Sequence, residues 1–320
     1  MDRSDPLDVV LVGGSGFLGR GLRARLVNAG HRVTVIGRGP GARHDGWRSV
    51  GWDGVSLGSW AEALEGADVI VHLAGKRVDC RPTRSNIDEL IRSREWTVEL
   101  VGRAVGLLSQ GPSAWVQLSS LARFGDGGER LIDESTPPPD DGPRQQVEVC
   151  RRWEAAYEAA SAGIERRVLL RPGIGIGGAG DPATVQLARV ARLGLAGPVG
   201  SGRQWVSWIG SDDFFEILVR SVIDREMSGL YHVTAPEPVR NAEMMAAYRE
   251  AVGRRFGLPT PRFMATIGAL LLGSDPGLAL TGRRCVPTRL LDEGFRFANL
   301  DFEQVVADAV GAVRPSPRSG

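Results

Sequence analysis

The chain has 320 residues, 42% hydrophobic and 24% charged, which places it among ordinary globular proteins with room for one large α/β domain or two small ones. A formal net charge of +1 gives no reason to invoke nucleic acid or an anionic membrane as a partner. The cysteines Cys80, Cys150 and Cys285 are widely spaced and odd in number, with no CxxC or Cys/His ligand pattern, so neither a disulfide framework nor a metal site is expected.

The opening MDRSDPLD is too polar for a signal peptide, and a reducing cytoplasm is the expected compartment. Next comes VVLVGGSGFLG. A short apolar run, Val9 to Val12, ends in Gly13, Gly16 and Gly19, and a helical pattern follows at Leu18, Leu22, Leu26 and Val27. Strand, glycine turn and helix in this order let the backbone approach a pyrophosphate, which the free N–H groups and positive dipole end of the helix then receive. Further strand-like runs fall at 33–37, 68–73, 114–119 and 167–171, with helical patterns near 18–29, 59–65, 86–109 and 145–162. Such alternation predicts a doubly wound parallel sheet of Rossmann type, with right-handed crossovers and helices on both faces.

The stretch 125–144 is rich in Gly, Pro and acid and reads as a long active-site loop. From about 173 the pattern breaks up. A helix is expected at 183–194, a turn-rich segment at 195–204, a strand leading into a helix capped near Ser211 or Asp212, a strand at GLYHVTAP, and a helix capped by Asn241. The expected organisation is a nucleotide-binding domain over 1–172, to which 205–235 returns, a smaller substrate-binding part over 173–310, and a disordered tail at 311–320. The longest apolar stretch, around Ile267 to Leu272, is too short to span a bilayer.

Several motifs in order resemble the extended short-chain dehydrogenases/reductases: GGSGFLG, VIVHLAG at 69–75, QLSS at 117–120, LLRPGIGIGG and WVSWIGSDDF. SREWTVELV, VEVCRRWEAA, LYHVTAPEPVRNAEM and the ending GRRCVPTRLLDEGFRF are similar, more narrowly, to an atypical epimerase-family branch with its own short C-terminal segment, often loosely called cell-division-inhibitor-like. The resemblance implies cofactor contacts at Gly13, Gly16, Phe17, Leu18, Gly19, Leu73, Ala74, Gly75, Arg171 and Pro172, with Asp53 beside the adenine.

Cofactor choice is readable from residue chemistry. NAD-preferring folds place Asp or Glu about twenty residues past the glycines, where it accepts the ribose 2′-OH. Here VTVIGRG puts Arg38 at that point and no acid follows until Asp45. An arginine, with Arg43 to assist, suits a 2′-phosphate, so NADP(H) is expected.

The catalytic set departs from the family. Its members carry Tyr and Lys spaced YxxxK, but none of Tyr157, Tyr231 and Tyr248 is followed four residues later by lysine. Aligning Glu154 with the family's helix glutamate puts Gln146 and Cys150 at the two positions; a four-residue slip puts Cys150 and Glu154 there. Ser120 remains where the family has its active-site Ser or Thr. Lys76, the only lysine in the chain, follows HLAG on a loop that borders the substrate in related proteins. Ser120 and Lys76 are expected to polarise a carbonyl from two sides, with Cys150 as a further acid or as a small buried hydrophobe. Arg81 and Arg94 read either as contacts to an anionic substrate or as surface charges, Trp205 as a core or pocket-lining residue that would touch the substrate, and His72 as a satisfied structural histidine.

The leading functional expectation is an NADP(H)-dependent oxidoreductase acting on a small carbonyl, enone or iminium-like substrate, as monomer or homodimer. The alternatives are a non-catalytic NADP(H)-binding sensor or partner-binding protein, and an epimerase or dehydratase that uses the cofactor transiently. The last normally needs the missing tyrosine.

Overall fold

The structure, a computed structural model, describes residues 5–271 and 273–313. In chain order it holds β1 (Asp8–Val12), α1 (Phe17–Asn28), β2 (Arg32–Gly37), β3 (Ala42–His44), β4 (Trp47–Gly51), β5 (Val69–His72), α2 (Arg84–Val105), β6 (Ala114–Leu118), β7 (Leu131–Ile132), α3 (Val149–Ala160) and β8 (Arg166–Pro172). Beyond these lie β9 (Ile174–Ile176), α4 (Pro182–Arg192), β10 (Trp205–Val206), β11 (Trp208–Gly210), α5 (Ser211–Ile223), β12 (Gly229–Val233), β13 (Val239–Arg240), α6 (Asn241–Ala251), α7 (Arg262–Leu271), α8 (Gly277–Leu280), β14 (Arg284–Cys285), α9 (Thr288–Asp292) and α10 (Phe302–Ala312).

The main sheet runs β12-β8-β6-β5-β1-β2-β4-β3, parallel throughout except for β3 at one edge. Strand alternation sends Val9, Leu11, Val33, Val35, Val69 and Val71 to one face, where Leu22 and Leu26 of α1 and Phe214, Phe215 and Leu218 of α5 cover them. The opposite face takes Val10, Val12, Ile36, Ile70 and Trp115 against Val98 and Val101 of α2 and Trp153 and Tyr157 of α3. Both faces are buried, which is why the strands read as unbroken apolar runs rather than alternating ones. Truncating a buried leucine such as Leu22 or Leu26 to alanine in such a layer costs about 2–5 kcal/mol.

A third apolar cluster joins α4, α6 and α10 around Trp208 and Tyr248. Beside the main sheet, β9, which follows β8 directly, pairs in parallel with β11, and β14 pairs in parallel with β7, each as a separate two-stranded sheet. The chain order of the strands reverses between β1 and β5, both of which end at the same edge. Open α/β sheets bind ligands outside that switch point.

Four expectations change in detail. Residues 59–64 form a 3₁₀ helix, and 144–148 form a π-helical turn ahead of α3 rather than its first α turn. The helix expected to be capped by Asn241 starts at that residue; its Oδ1 instead accepts the Val199 N–H at 2.9 Å. Gly311 and Ala312, expected in the tail, close α10, and residues 314–320 lie outside the described residues.

Candidate functional site

The glycine turn leaves β1 at Val12. Gly13 has φ +83°, its N–H donates to Ile36 O at 2.8 Å, and a Cβ there would lie 2.5 Å from Ala74 Cα, so this position is closed to side chains twice over. At Gly19 a Cβ would lie 2.3 Å from Gly14 Cα, which fixes the close approach of α1 to the turn. Gly16 is different: its backbone is extended and a Cβ would meet nothing within 4 Å. A side chain is absent there with open space in front of it. The first turn of α1 has no side-chain cap, so the N–H groups of Phe17, Leu18 and Gly19 point outward without a protein acceptor from that source. An open cleft of about 350 Å³ begins at Gly16–Gly19 and runs past Leu73 to Pro172 and Gly173 at the end of β8. The Phe17 ring packs on Phe215, centroids 5.6 Å apart, and both residues line the cleft.

Arg38 lies exposed immediately after β2, and Arg43 lies exposed on β3; among the described residues neither pairs with a carboxylate. The Asp53 carboxylate is used locally. It accepts the N–H groups of Val55 (2.8 Å) and Ser56 (2.9 Å) and the Ser56 hydroxyl, which holds its pKa below the usual range.

At the ends of β6 and β8 two adjacent serines divide their work. Ser119 Oγ donates to Glu154 Oε1 at 2.6 Å in a buried setting. Glu154 also accepts two bonds from Arg171, through Nε (2.8 Å) and Nη2 (2.7 Å), and has Arg123 Nε 3.8 Å from Oε2. Arg171, expected among the cofactor contacts, therefore commits its guanidinium to Glu154, and the neighbouring Pro172 lines the cleft. Ser120 caps the short 3₁₀ turn Leu121–Phe124 by accepting the Ala122 N–H at 3.1 Å. That use takes an oxygen lone pair and leaves the hydroxyl proton available to a ligand.

The expected partners of Ser120 are arranged otherwise. Lys76 Nζ pairs with Glu89 Oε2 (2.5 Å) and Asn86 Oδ1 (3.2 Å), both on α2. The cation that abuts the turn after β5 is instead Arg94, buried rather than a surface charge: a Cβ on Gly75 would lie 3.2 Å from its Cζ. Cys150 is buried and burial pushes its thiol up to about 12, so it stays protonated at neutral pH and packs as a small hydrophobe. Gln146 is also buried, taking the Thr281 hydroxyl on Oε1 at 3.3 Å. Tyr157 packs against Trp115 and its hydroxyl is aimed at the Trp115 carbonyl at 3.5 Å, with burial raising its pKa.

Arg81 is exposed and its Nε donates to Leu270 O at 2.7 Å, tying its loop to α7. The Trp205 indole lies under Arg240, 3.6 Å from ring centroid to Cζ, and donates to Glu129 Oε2 at 2.9 Å. His72 is fully buried and neutral, burial lowering its pKa to about 3; Nδ1 lies 3.5 Å from Gln117 Nε2, while Nε2 has no partner. Arg283, and Ser119 as the hydroxyl partner of Glu154, are features of the site that sequence reasoning did not select. Among the described residues no cluster of His, Cys, Asp or Glu is placed to hold a metal ion, and no helix is long and apolar enough to cross a membrane.

A parallel sheet whose switch point carries this glycine turn defines a Rossmann-type α/β protein. The chain belongs to the NAD dependent epimerase/dehydratase family, whose model matches residues 9–228. It is similar to the human epimerase family protein SDR39U1, 30% identical over 293 residues that span 91% of this chain and 95% of the relative. The crystal structure of that human protein (isoform 2) with NADPH matches at TM-score 0.80 and 28% identity, covering 95% of this chain and 99% of the other. A nucleoside-diphosphate sugar epimerase from Corynebacterium glutamicum matches at TM-score 0.75 and 30% identity over 97% of this chain and 59% of its own.

Proposed function

We propose that the chain is an NADP(H)-dependent oxidoreductase acting on a small carbonyl, enone or iminium-like substrate, working without a tyrosine–lysine pair. The observation that carries the reading is Gly16, a position with open space where a side chain would be, in front of an uncapped helix N-terminus and at the switch point of the sheet. These residues fit a dinucleotide pyrophosphate: Gly16 lets it approach, and the Phe17, Leu18 and Gly19 N–H groups receive it. Leu73 and Pro172 would hold the nicotinamide end of the cleft. Arg38, free after β2, would pair with the 2′-phosphate, with Arg43 beside it. The NADPH bound to the human relative supports that choice.

Bound NADPH supplies a hydride to an electrophilic carbon. Ser120, through its free O–H, would orient and polarise the substrate oxygen. No side chain at positions 146 or 150 provides a titratable relay at neutral pH, so the final proton would come from water. The same absence is the observation that favours the second reading, a non-catalytic NADP(H)-binding protein. All three cysteines are unpaired, which suits a reducing compartment and supports the cytoplasmic reading.

Arg38→Asp tests the cofactor assignment. It removes a charge-assisted contact and adds a repulsion, so NADPH affinity measured by calorimetry should fall by about 1–3 kcal/mol. NADH affinity should hold or improve. Equal losses for both nucleotides would mean that Arg38 does not read the 2′-phosphate. Lys76→Met tests the division of labour on the substrate side. The Lys76–Glu89 pair is partly solvent-exposed, and such pairs contribute only about 0–1 kcal/mol, so stability should change little. Turnover should stay within about threefold of wild type; a loss near a hundredfold, about 2.7 kcal/mol of barrier, would return the lysine to the mechanism.

A further inference from the structure

Four arginines converge around Cys150 and Glu154, but only two have a carboxylate. Arg171 and Arg123 share Glu154. Arg94 and Arg283 have no carboxylate within 4 Å among the described residues. Arg94, on the buried face of α2, donates to the carbonyls of Leu90 (3.2 Å) and Lys76 (2.8 Å) and lies 4.9 Å from the Trp153 ring. Arg283, part-buried between the 126–129 turn and β10, donates once, to Thr281 Oγ1 at 3.3 Å. Each guanidinium has five N–H donors, so most of these donors find no protein acceptor. Burial lowers the pKa of both groups, and Arg94 packs on Trp153, three residues after Cys150 on α3. Asp126 is the acid that faces Arg283, and its Oδ1 is engaged by the Gly282 N–H at 3.1 Å. Thr281 joins Arg283 to Gln146, whose Nε2 is buried with no acceptor.

A buried donor without an acceptor carries a desolvation cost, and an arginine with no carboxylate partner keeps N–H donors for a ligand. Here Gln146 Nε2 is a buried donor with no acceptor, Thr281 links that side chain to Arg283, and Arg94 lies against Gly75 with no carboxylate partner among the described residues. The geometry points to a carboxylate-binding subsite formed by Arg283, Arg94 and Gln146, which makes the substrate an acid such as a 2-oxo acid or an α,β-unsaturated acid. This rests on the oxidoreductase reading and names its substrate class. A carboxylate can be bonded directly to a carbonyl or alkene carbon, so it can lie in this subsite while that carbon faces the cofactor loop. Two arginine forks and an amide also match its planar oxygens.

The test uses the full chain saturated with NADP⁺ and two sets of probes: short 2-oxo acids and 2-enoic acids, and their methyl esters. Binding is read by calorimetry. The acids should bind at least tenfold tighter than the esters. In Arg283→Met that preference should shrink to within twofold while NADPH affinity stays within twofold of wild type. The melting temperature of the ligand-free variant should stay close to that of wild type, because the Arg283 side chain makes one long hydrogen bond and no ion pair among the described residues. A purely structural arginine would lower it instead. Arg283→Lys, which keeps the charge if the methionine variant does not fold, should retain part of the preference. Esters binding as tightly as acids, or an acid preference that survives Arg283→Met, would overturn the subsite. Oxidation of NADPH by esters and acids alike would leave the oxidoreductase reading standing without the subsite. Acid binding with no oxidation of NADPH by any probe would leave the subsite standing without that reading.

Discussion

Glu154→Ala is expected to destabilise the protein by about 3–5 kcal/mol, the range for removing one partner of a buried ion pair. Glu154 accepts bonds from Ser119 (2.6 Å) and from both Arg171 nitrogens (2.8 and 2.7 Å), with Arg123 at 3.8 Å. Its loss would strand two enclosed guanidinium groups and one hydroxyl at once. The contacts join α3 to the ends of β6 and β8, so the damage would also reach the position of Ser120, the residue after Ser119. Glu154→Gln keeps the volume and the Ser119 bond but removes the charge, and should recover only a small part of the loss. Urea unfolding of the two variants beside wild type measures this. A change below about 1 kcal/mol in Glu154→Ala would show that the cluster is not what anchors these strand ends.

Ser120→Ala should lower turnover by about a hundred- to a thousandfold, or about 2.7–4 kcal/mol of barrier, the cost of removing one hydrogen-bond donor aimed at developing negative charge. NADPH affinity should be unchanged, since the residue faces the substrate oxygen rather than the nucleotide. The variant also loses the cap on the Leu121–Phe124 turn, which adds a stability cost of about 0.5–2 kcal/mol. Kinetics should therefore be read well below the melting temperature of the variant. Ser120→Thr keeps both the cap and the donor and should recover most of the rate. A Ser120→Ala enzyme within threefold of wild type would leave the substrate oxygen without an assigned donor on this chain.

Much of the fold was legible because its signals are local. The glycine turn, the doubly buried strands and the long amphipathic α2 each carry their pattern within a short window. The β3–β4 hairpin was not legible, because Ala42–His44 is exposed throughout and has no buried alternation to read. The π-helical turn at Arg144–Glu148 likewise has no periodic signature distinct from the α-helix that follows it. At the site, Arg94 did leave a trace. It stands three residues after Ile91 and four before Val98, on the apolar stripe of α2 where a surface arginine has no place. Arg283 left none, because its relation to Gln146 and Cys150 is made entirely by tertiary contact across more than a hundred residues. Lys76 was singled out by being unique in the chain, and uniqueness carries no information about direction; its side chain pairs with α2. Residue chemistry alone does not separate Ser119 from Ser120; the resemblance singled out Ser120, and the hydrogen bonds show Ser119 committed to Glu154 and Ser120 capping the turn that follows.

The central claim is tested most directly by mixing the wild-type protein with NADPH, and in parallel with NADH, and following nicotinamide absorbance against a panel of small carbonyl, enone and imine compounds that includes the 2-oxo and 2-enoic acids. The account predicts that NADPH binds at least tenfold tighter than NADH and that at least one compound oxidises it with turnover dependent on Ser120. Equal binding of the two nucleotides, or tight NADPH binding with no oxidation by any member of the panel, would contradict it.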